Sequence, residues 1–244
     1  MSIGVIDRAA SLSRWRHRPL AEKALLTLGF LVVAVSVPPW PGAAMVALVI
    51  LAVTFGAARV PLRLWLSVAA LPLGFMASGA VVLLVQVGPE GLGLAPHGLQ
   101  DAAALCLRAM AATFCLILLS LTTPAADLMA GLRRLGLPAE IVEIALLTYR
   151  FTFLIGESAV AMTHAQSARL GHRTNRLWLR STALVIAGLL PRAMDRARRL
   201  ETGMAARGWS GEMRVLSDRP AASWPVLAGI AVVQILVLAL GWPA

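Results

Sequence analysis

The chain of 244 residues is 59% hydrophobic and only 14% charged, with a mean hydropathy of +0.78; a water-soluble domain carries about 25% charged residues, so the bilayer is the expected solvent. Lys and Arg number 22 against 12 Asp and Glu, and the sequence pI is near 11.5. Such a surplus suits nucleic acid or an anionic membrane surface, and the placement of the charges decides between them.

In chain order, a basic segment leads into the first apolar run. It resembles a secretion signal, but Pro38, Pro39, Trp40 and Pro41 stand where a small-residue cleavage site would fall, so it is expected to be a retained helix. A membrane helix needs about 20 mostly apolar residues, and five runs qualify: 20–38, 42–58, 64–87, 99–121 and 222–242. Two further stretches, 139–160 and 177–191, are apolar but interrupted or flanked by arginine; as partly inserted helices they would raise the count to six or seven. The expected fold class is therefore all-α, a polytopic helical membrane protein with about five to six transmembrane helices. Its organisation is expected as 1–121 N-terminal transmembrane helices, 122–221 a cytoplasmic or interfacial region, and 222–244 a C-terminal transmembrane helix.

Orientation follows from the excess of Lys and Arg in cytoplasmic loops. Arg8, Arg14, Arg16, Arg18 and Lys23 precede or open the first run, Arg59 and Arg63 lie between the second and third, and 14 arginines fall in 122–221. With five spans, 21 of the 22 basic residues lie on one side, which places the N-terminus in the cytoplasm and the C-terminus outside. Topology alone thus generates the net charge, and no nucleic-acid partner is needed. The exception is Arg108, inside the fourth run; an isolated intramembrane arginine is costly, so a structural pairing within the bundle or with a partner is expected. Cys106 and Cys115 share that run nine residues apart, at different heights of one helix, where they cannot pair.

The region 122–221 opens with Thr122-Thr123-Pro124, which stops the fourth span. Leu128, Leu132 and Leu135 recur at helical spacing around Arg133 and Arg134, a short amphipathic helix for the membrane surface. Pro138 starts a helix running through Tyr149-Arg150-Phe151 towards Arg169. Another runs from Leu177 to Arg207, with Arg192, Arg196 and Arg199 on one stripe and Ala193, Ala197, Leu200 and Met204 on a second. Gly208 suits the left-handed residue that commonly ends a helix. The segments Ala165-Gln166-Ser167-Ala168-Arg169-Leu170 and Met204-Ala205-Ala206-Arg207-Gly208 each place one arginine after small residues near a helix end. Small residues let such an end enter a groove, where guanidinium can pair bidentately with a carboxylate; by spacing alone a solvated or headgroup-facing surface is the default reading of these arginines.

Thr122-Thr123-Pro124, the following leucines, Pro138, Tyr149-Arg150-Phe151 and the two Ala-Arg segments together resemble the transmembrane T component (EcfT/CbiQ type) of energy-coupling factor (ECF) transporters, cobalt/nickel branch. The resemblance covers roughly residues 100–215 and rests on the combination. It implies a non-catalytic subunit of an inner-membrane, ATP-driven importer for cobalt or nickel ions, joining two ATP-binding-cassette ATPase subunits to a small substrate-binding membrane protein (the S component). Ala168, Arg169 and Leu170 with Ala206, Arg207 and Gly208 would be the ATPase-coupling tips of a cytoplasmic pair of long coupling helices. Leu170 departs from the Gly or Ser common in the family after the first arginine. ATP and Mg would be bound by the partner ATPases, this chain binding no cofactor. It contains no phosphate-binding G-x-x-x-x-G-K-[ST] loop, and Lys23 is its only lysine.

Metal binding and catalysis find little support in the residues. His17, His97, His164 and His172 include no pair at i, i+3 or i, i+4, although His97 stands near Glu90 and Asp101. Asp127, Glu140, Glu143, Glu157, Asp195 and Glu201 lie among arginines, where ion pairing is the default. The alternatives are a membrane-embedded enzyme for lipid or prenyl substrates, for which Asp127, Asp195 and Asp218 are too dispersed to form a magnesium cluster, and a non-transporting membrane scaffold.

Overall fold

A computed structural model describes residues 3–88, 91–94, 96–209 and 221–242. In chain order the elements are α1 (Ile3–Leu12), α2 (Leu20–Ser36), α3 (Ala44–Ala52), α4 (Leu62–Leu84), the strands β1 (Val85–Gly88) and β2 (Gly91–Leu94), α5 (Gly98–Thr122), α6 (Ala125–Arg134), α7 (Ala139–Ala168), α8 (Asn175–Ala205) and α9 (Trp224–Gly241). Wide turns of π type, Pro39–Ala43 and Val53–Ala57, flank α3. The proline-rich break lies where expected: Trp40 is extended and Pro39 and Pro41 have no N–H to continue a ladder.

The chain divides into two compact units, Met1–Leu128 with Asp218–Ala244, and Met129–Ser217. In the first, α5 is the hub, packing on α1, α2, α3 and α4, while α9 packs on α2. The core runs through Phe30, Val46, Ile50, Phe114, Leu118 and Leu121. Phe55 and Phe114 both stack obliquely on Trp65, with ring centroids 5.7 and 5.1 Å away. In the second unit α7 packs on α8. Residue pairs Gly171 with Ser181 and Met162 with Gly188 show the two helices to be antiparallel, Gly188 leaving the room that the Met162 methyl occupies.

Five helical stretches are long and apolar enough to cross a membrane: Pro39–Ala57, Leu62–Leu84, Gly98–Thr122, Asn175–Ala205 and Trp224–Gly241. Four match expected runs with ends moved by a few residues. The expected third run overshoots: α4 ends at Leu84, and Val85–Gly88 pairs antiparallel with Gly91–Leu94 in a hairpin, Val85 opposite Leu94. Valine-rich chain between glycines suits a strand as well as a helix end, and hydropathy does not separate the two. The first expected run is α2, 17 residues long, slightly shorter than those five. α8 is the longest, but only 11 residues separate Arg180 from Arg192, about 17 Å of helix against about 30 Å of hydrocarbon.

Charged side chains at three helix ends tie the first unit together. The last carbonyls of a helix and its first N–H groups lack intrahelical partners, and the helix dipole favours a cation at the former and an anion at the latter. Lys23, buried in the first turn of α2, donates from Nζ to the Thr122 carbonyl at the end of α5, 2.9 Å away. Its neighbour Glu22, also buried, accepts from the backbone N–H and hydroxyl of Ser223 at the start of α9, both at 3.1 Å, and pairs with Arg18. Asp7 of α1 accepts from the Ala125 N–H at the start of α6. Counted by sequence among the loop charges, Lys23 is instead a structural cation inside the fold.

Candidate functional site: two arginine-tipped helix ends

The two Ala-Arg segments end α7 and α8 with one and the same backbone arrangement. At the end of α7 the Leu170 N–H bonds to the Ser167 carbonyl (3.0 Å) and the Gly171 N–H to the Gln166 carbonyl (2.9 Å). At the end of α8 the Gly208 N–H bonds to the Ala205 carbonyl (3.0 Å) and the Trp209 N–H to the Met204 carbonyl (3.1 Å). This is the double-bonded Schellman end, which requires a left-handed residue just past the cap. Leu170 has φ +58° and Gly208 φ +70°, so Arg169 and Arg207 occupy the equivalent cap position, each preceded by an exposed alanine.

The backbone explains the departure at Leu170. Glycine reaches a positive φ freely, whereas a side chain there costs about 1–2 kcal/mol; Leu170 takes up the conformation nonetheless, 65% exposed. The geometry by itself does not mark a docking point. α6 ends in the same way, with Gly136 at φ +95° and the Leu137 N–H on the Leu132 carbonyl, but carries exposed Leu135 where the other two carry arginine. What sets the α7 and α8 ends apart is a guanidinium at a stereotyped position. Both arginines are exposed, and among the described residues neither side chain makes a hydrogen bond or ion pair.

The structure does not bring the two tips together. Because α7 and α8 run antiparallel, Arg169 and Arg207 stand at opposite ends of the pair, separated by about 45 Å, the length of a 31-residue helix. The first tip is braced: the Ser181 hydroxyl donates to the Gly171 carbonyl at 3.0 Å, and Ser167 Oγ lies 2.9 Å from His172 Nδ1. Thr174 then caps the start of α8, its hydroxyl accepting from the Leu177 N–H.

Arg108 lies elsewhere, half-buried on α5, and donates from Nη2 to the Val37 carbonyl at 3.1 Å. Val37 caps the end of α2 just before the proline-rich break, and Pro41, four residues on, has no N–H to return to its carbonyl; the guanidinium thereby meets an orphan helix-end carbonyl. Cys115 is buried and Cys106 half-buried, both as free thiols. His17, His97 and His164 are exposed on separate elements, and among the described residues no three His, Cys, Asp or Glu converge as a metal site would need. Glu90 and Asp218 lie outside the described residues.

Five helical stretches of membrane-spanning length and apolarity, one of them α8 of the arginine-capped pair, define a multi-pass helical membrane protein. The sequence matches the CbiQ family, described as cobalt transport protein, over residues 12–216. The chain belongs to that family. It is 66% identical to "Cobalt transport protein CbiQ" of Rhodobacter capsulatus over 241 residues, 99% of each chain. It is 27% identical to the protein of the same name from Salmonella typhimurium, covering 86% of this chain and 99% of that one. It is also 26% identical to a "Putative fused cobalt transport protein CbiMQ" of Methanocorpusculum labreanum, covering 86% of this chain and 37% of that one.

Proposed function

We propose that the chain is the transmembrane coupling subunit of an ATP-driven importer for cobalt ions in the cell inner membrane, with α7 and α8 as its coupling helices. The observation that carries this reading is the pair of helix ends with matching hydrogen-bond patterns that present Arg169 and Arg207 exposed and, among the described residues, without partners. Each tip docks in a groove of one ATP-binding-cassette ATPase, the guanidinium pairing with a carboxylate there. Two equivalent tips about 45 Å apart suit two equivalent grooves on paired subunits. When ATP draws the ATPases together the grooves move, and long helices held by their tips carry that displacement into the membrane as a rigid-body motion. A small substrate-binding membrane protein reorients in response and releases the ion inside; a relative named as a fused CbiMQ supports a close membrane partner for this chain.

The reading sets the topology. Both tips face the cytoplasm, so α7 and α8 lie along the membrane surface, consistent with the short uncharged stretch of α8. The N-terminus is cytoplasmic, and the coupling region spans 122–221. The chain itself turns over nothing: it transmits.

The test is the complex purified through this chain, comparing wild type with Arg169→Glu and Arg207→Glu. Reversing a charge in a docked pair costs about 2–5 kcal/mol, so each variant is expected to lose ATPase co-purification and to lower ATP-dependent uptake of labelled cobalt by about 30-fold or more. Normal uptake in both variants sinks the coupling role and leaves a non-transporting scaffold as the next hypothesis.

A further inference from the structure

A second site lies in the first unit, on residues that take no part in coupling. A cleft of about 490 Å³ is lined by Arg8, Leu12, Arg14, Arg59, Leu64 and Leu121, among others, a size within the ~300–1,000 Å³ range of small-molecule pockets. Its position fixes its depth. Leu64 lies in the first turn of α4 and Leu121 in the last turn of α5, while Ala58–Pro61 links the α3 segment to α4. Three span ends therefore meet at the cleft, at the level where headgroups begin. α1 closes it from the polar side. Ile6, Ala9 and buried Ala10 pack α1 towards the core, and half-buried Trp15 donates from Nε1 to the Ala57 carbonyl at 3.1 Å.

The lining is chemically lopsided. Three guanidiniums face an apolar floor of leucines with no carboxylate among the lining residues; the nearest in sequence, Asp7, is engaged with the Ala125 N–H. Arg59 is held at φ +51°, a conformation uncommon for any residue but glycine. The turn around it is fastened by the Ala58 N–H on Val53 and the Val60 N–H on Thr54. A backbone outlier where glycine would be easier motivates a role for the side chain itself.

We propose that this cleft binds an anionic phospholipid, its phosphate held by Arg8, Arg14 and Arg59 and the start of one acyl chain lying on Leu12, Leu64 and Leu121. Charge complementarity selects an anion, and the apolar floor at span-end depth selects a lipid over a soluble one. The bound lipid cements α1 to the ends of α4 and α5. This site stands whether or not the tips couple to ATPases.

The experiment uses native mass spectrometry on the full chain in detergent, titrated with phosphatidylglycerol, phosphatidylcholine or glycerol phosphate. Wild type is expected to retain one phosphatidylglycerol per chain and to prefer it over phosphatidylcholine by about 10-fold or more. Each arginine at an anionic surface contributes about five-fold, so Arg8→Gln/Arg59→Gln should weaken binding by about 25-fold. The charge-matched Arg16→Gln/Arg63→Gln, outside the cleft, should change it by less than about two-fold. Arg59→Gly removes a guanidinium while easing the backbone, so its expected loss of about five-fold cannot come from misfolding. Equal binding of phosphatidylcholine, equal loss in the charge-matched control, unchanged binding in Arg59→Gly, or displacement of the lipid by glycerol phosphate at millimolar concentration would each overturn the proposal.

Discussion

Both units of this chain contain helices of 23 residues or more, yet one has a buried apolar core and the other almost none. In Met1–Leu128 with Asp218–Ala244, α5 is surrounded, and Phe30, Ile50 and Leu118 are almost fully enclosed. In Met129–Ser217 the described residues bury only Val142, Ser181 and Val185, while Ile144, Leu179 and Ile186 are each 65% exposed. Helix length and apolarity therefore do not distinguish a bundle that holds itself together from a helical pair whose apolar surface is left for other contacts. Arginine marks the difference: in the first unit the charges reaching into the bundle are matched to helix ends, whereas α7 and α8 carry theirs along exposed faces and at their tips.

That contrast can be broken most decisively at the tips. On the proposed coupling role, the double variant Arg169→Glu/Arg207→Glu should abolish ATP-dependent cobalt uptake, each reversal then costing about 2–5 kcal/mol of docking energy, with no change in the melting temperature of the isolated chain. A fall in melting temperature would mean that the tips belong to the fold. The converse change is in the core, where Phe30→Ala should cost about 3–5 kcal/mol in a detergent unfolding titration. Val185→Ala in the second unit should cost well under half of that. Equal losses would erase the distinction between the units.

Lys23→Met tests the matched charges. It removes the donor to the Thr122 carbonyl and leaves that oxygen buried and unsatisfied, a loss of about 1–3 kcal/mol measurable by the same titration, although a surface lysine would cost almost nothing. The smallest effect sharpens the likeness of the two tips. Leu170→Gly should stabilise the end of α7 by about 1 kcal/mol, and Gly208→Leu should weaken the end of α8 by a similar amount, both read from local hydrogen-exchange protection.

Much of the architecture was legible because membrane helices obey strong rules. Runs of apolar residues found α3, α4, α5 and α9 to within a few residues, proline placed the break after α2, and the periodicity of Leu128, Leu132 and Leu135 found α6. The arginine tips were legible as motifs, small residues followed by one guanidinium, and Gly208 announced its own turn. Leu170 did not, since leucine says nothing of a left-handed φ; only the hydrogen bonds of the α7 end expose it. Glu22 and Asp7 carried no signal at all. Their partners, Ser223 and Ala125, are distant in sequence, and a helix terminus without a fold around it asks for no particular charge.

By itself the sequence determined the apolar solvent, the helical class and the two Ala-Arg motifs, because each follows from local composition or from spacing along one helix. Tertiary structure alone decided that Lys23 is a buried cation, that Arg108 meets Val37, that α7 and α8 run antiparallel with their tips at opposite ends, and that Arg8, Arg14 and Arg59 surround one cleft. The reason is physical. Hydropathy and periodicity act over a few residues, whereas these arrangements depend on which helices meet, and that is settled by packing around α5 in the first unit and of α7 on α8 in the second.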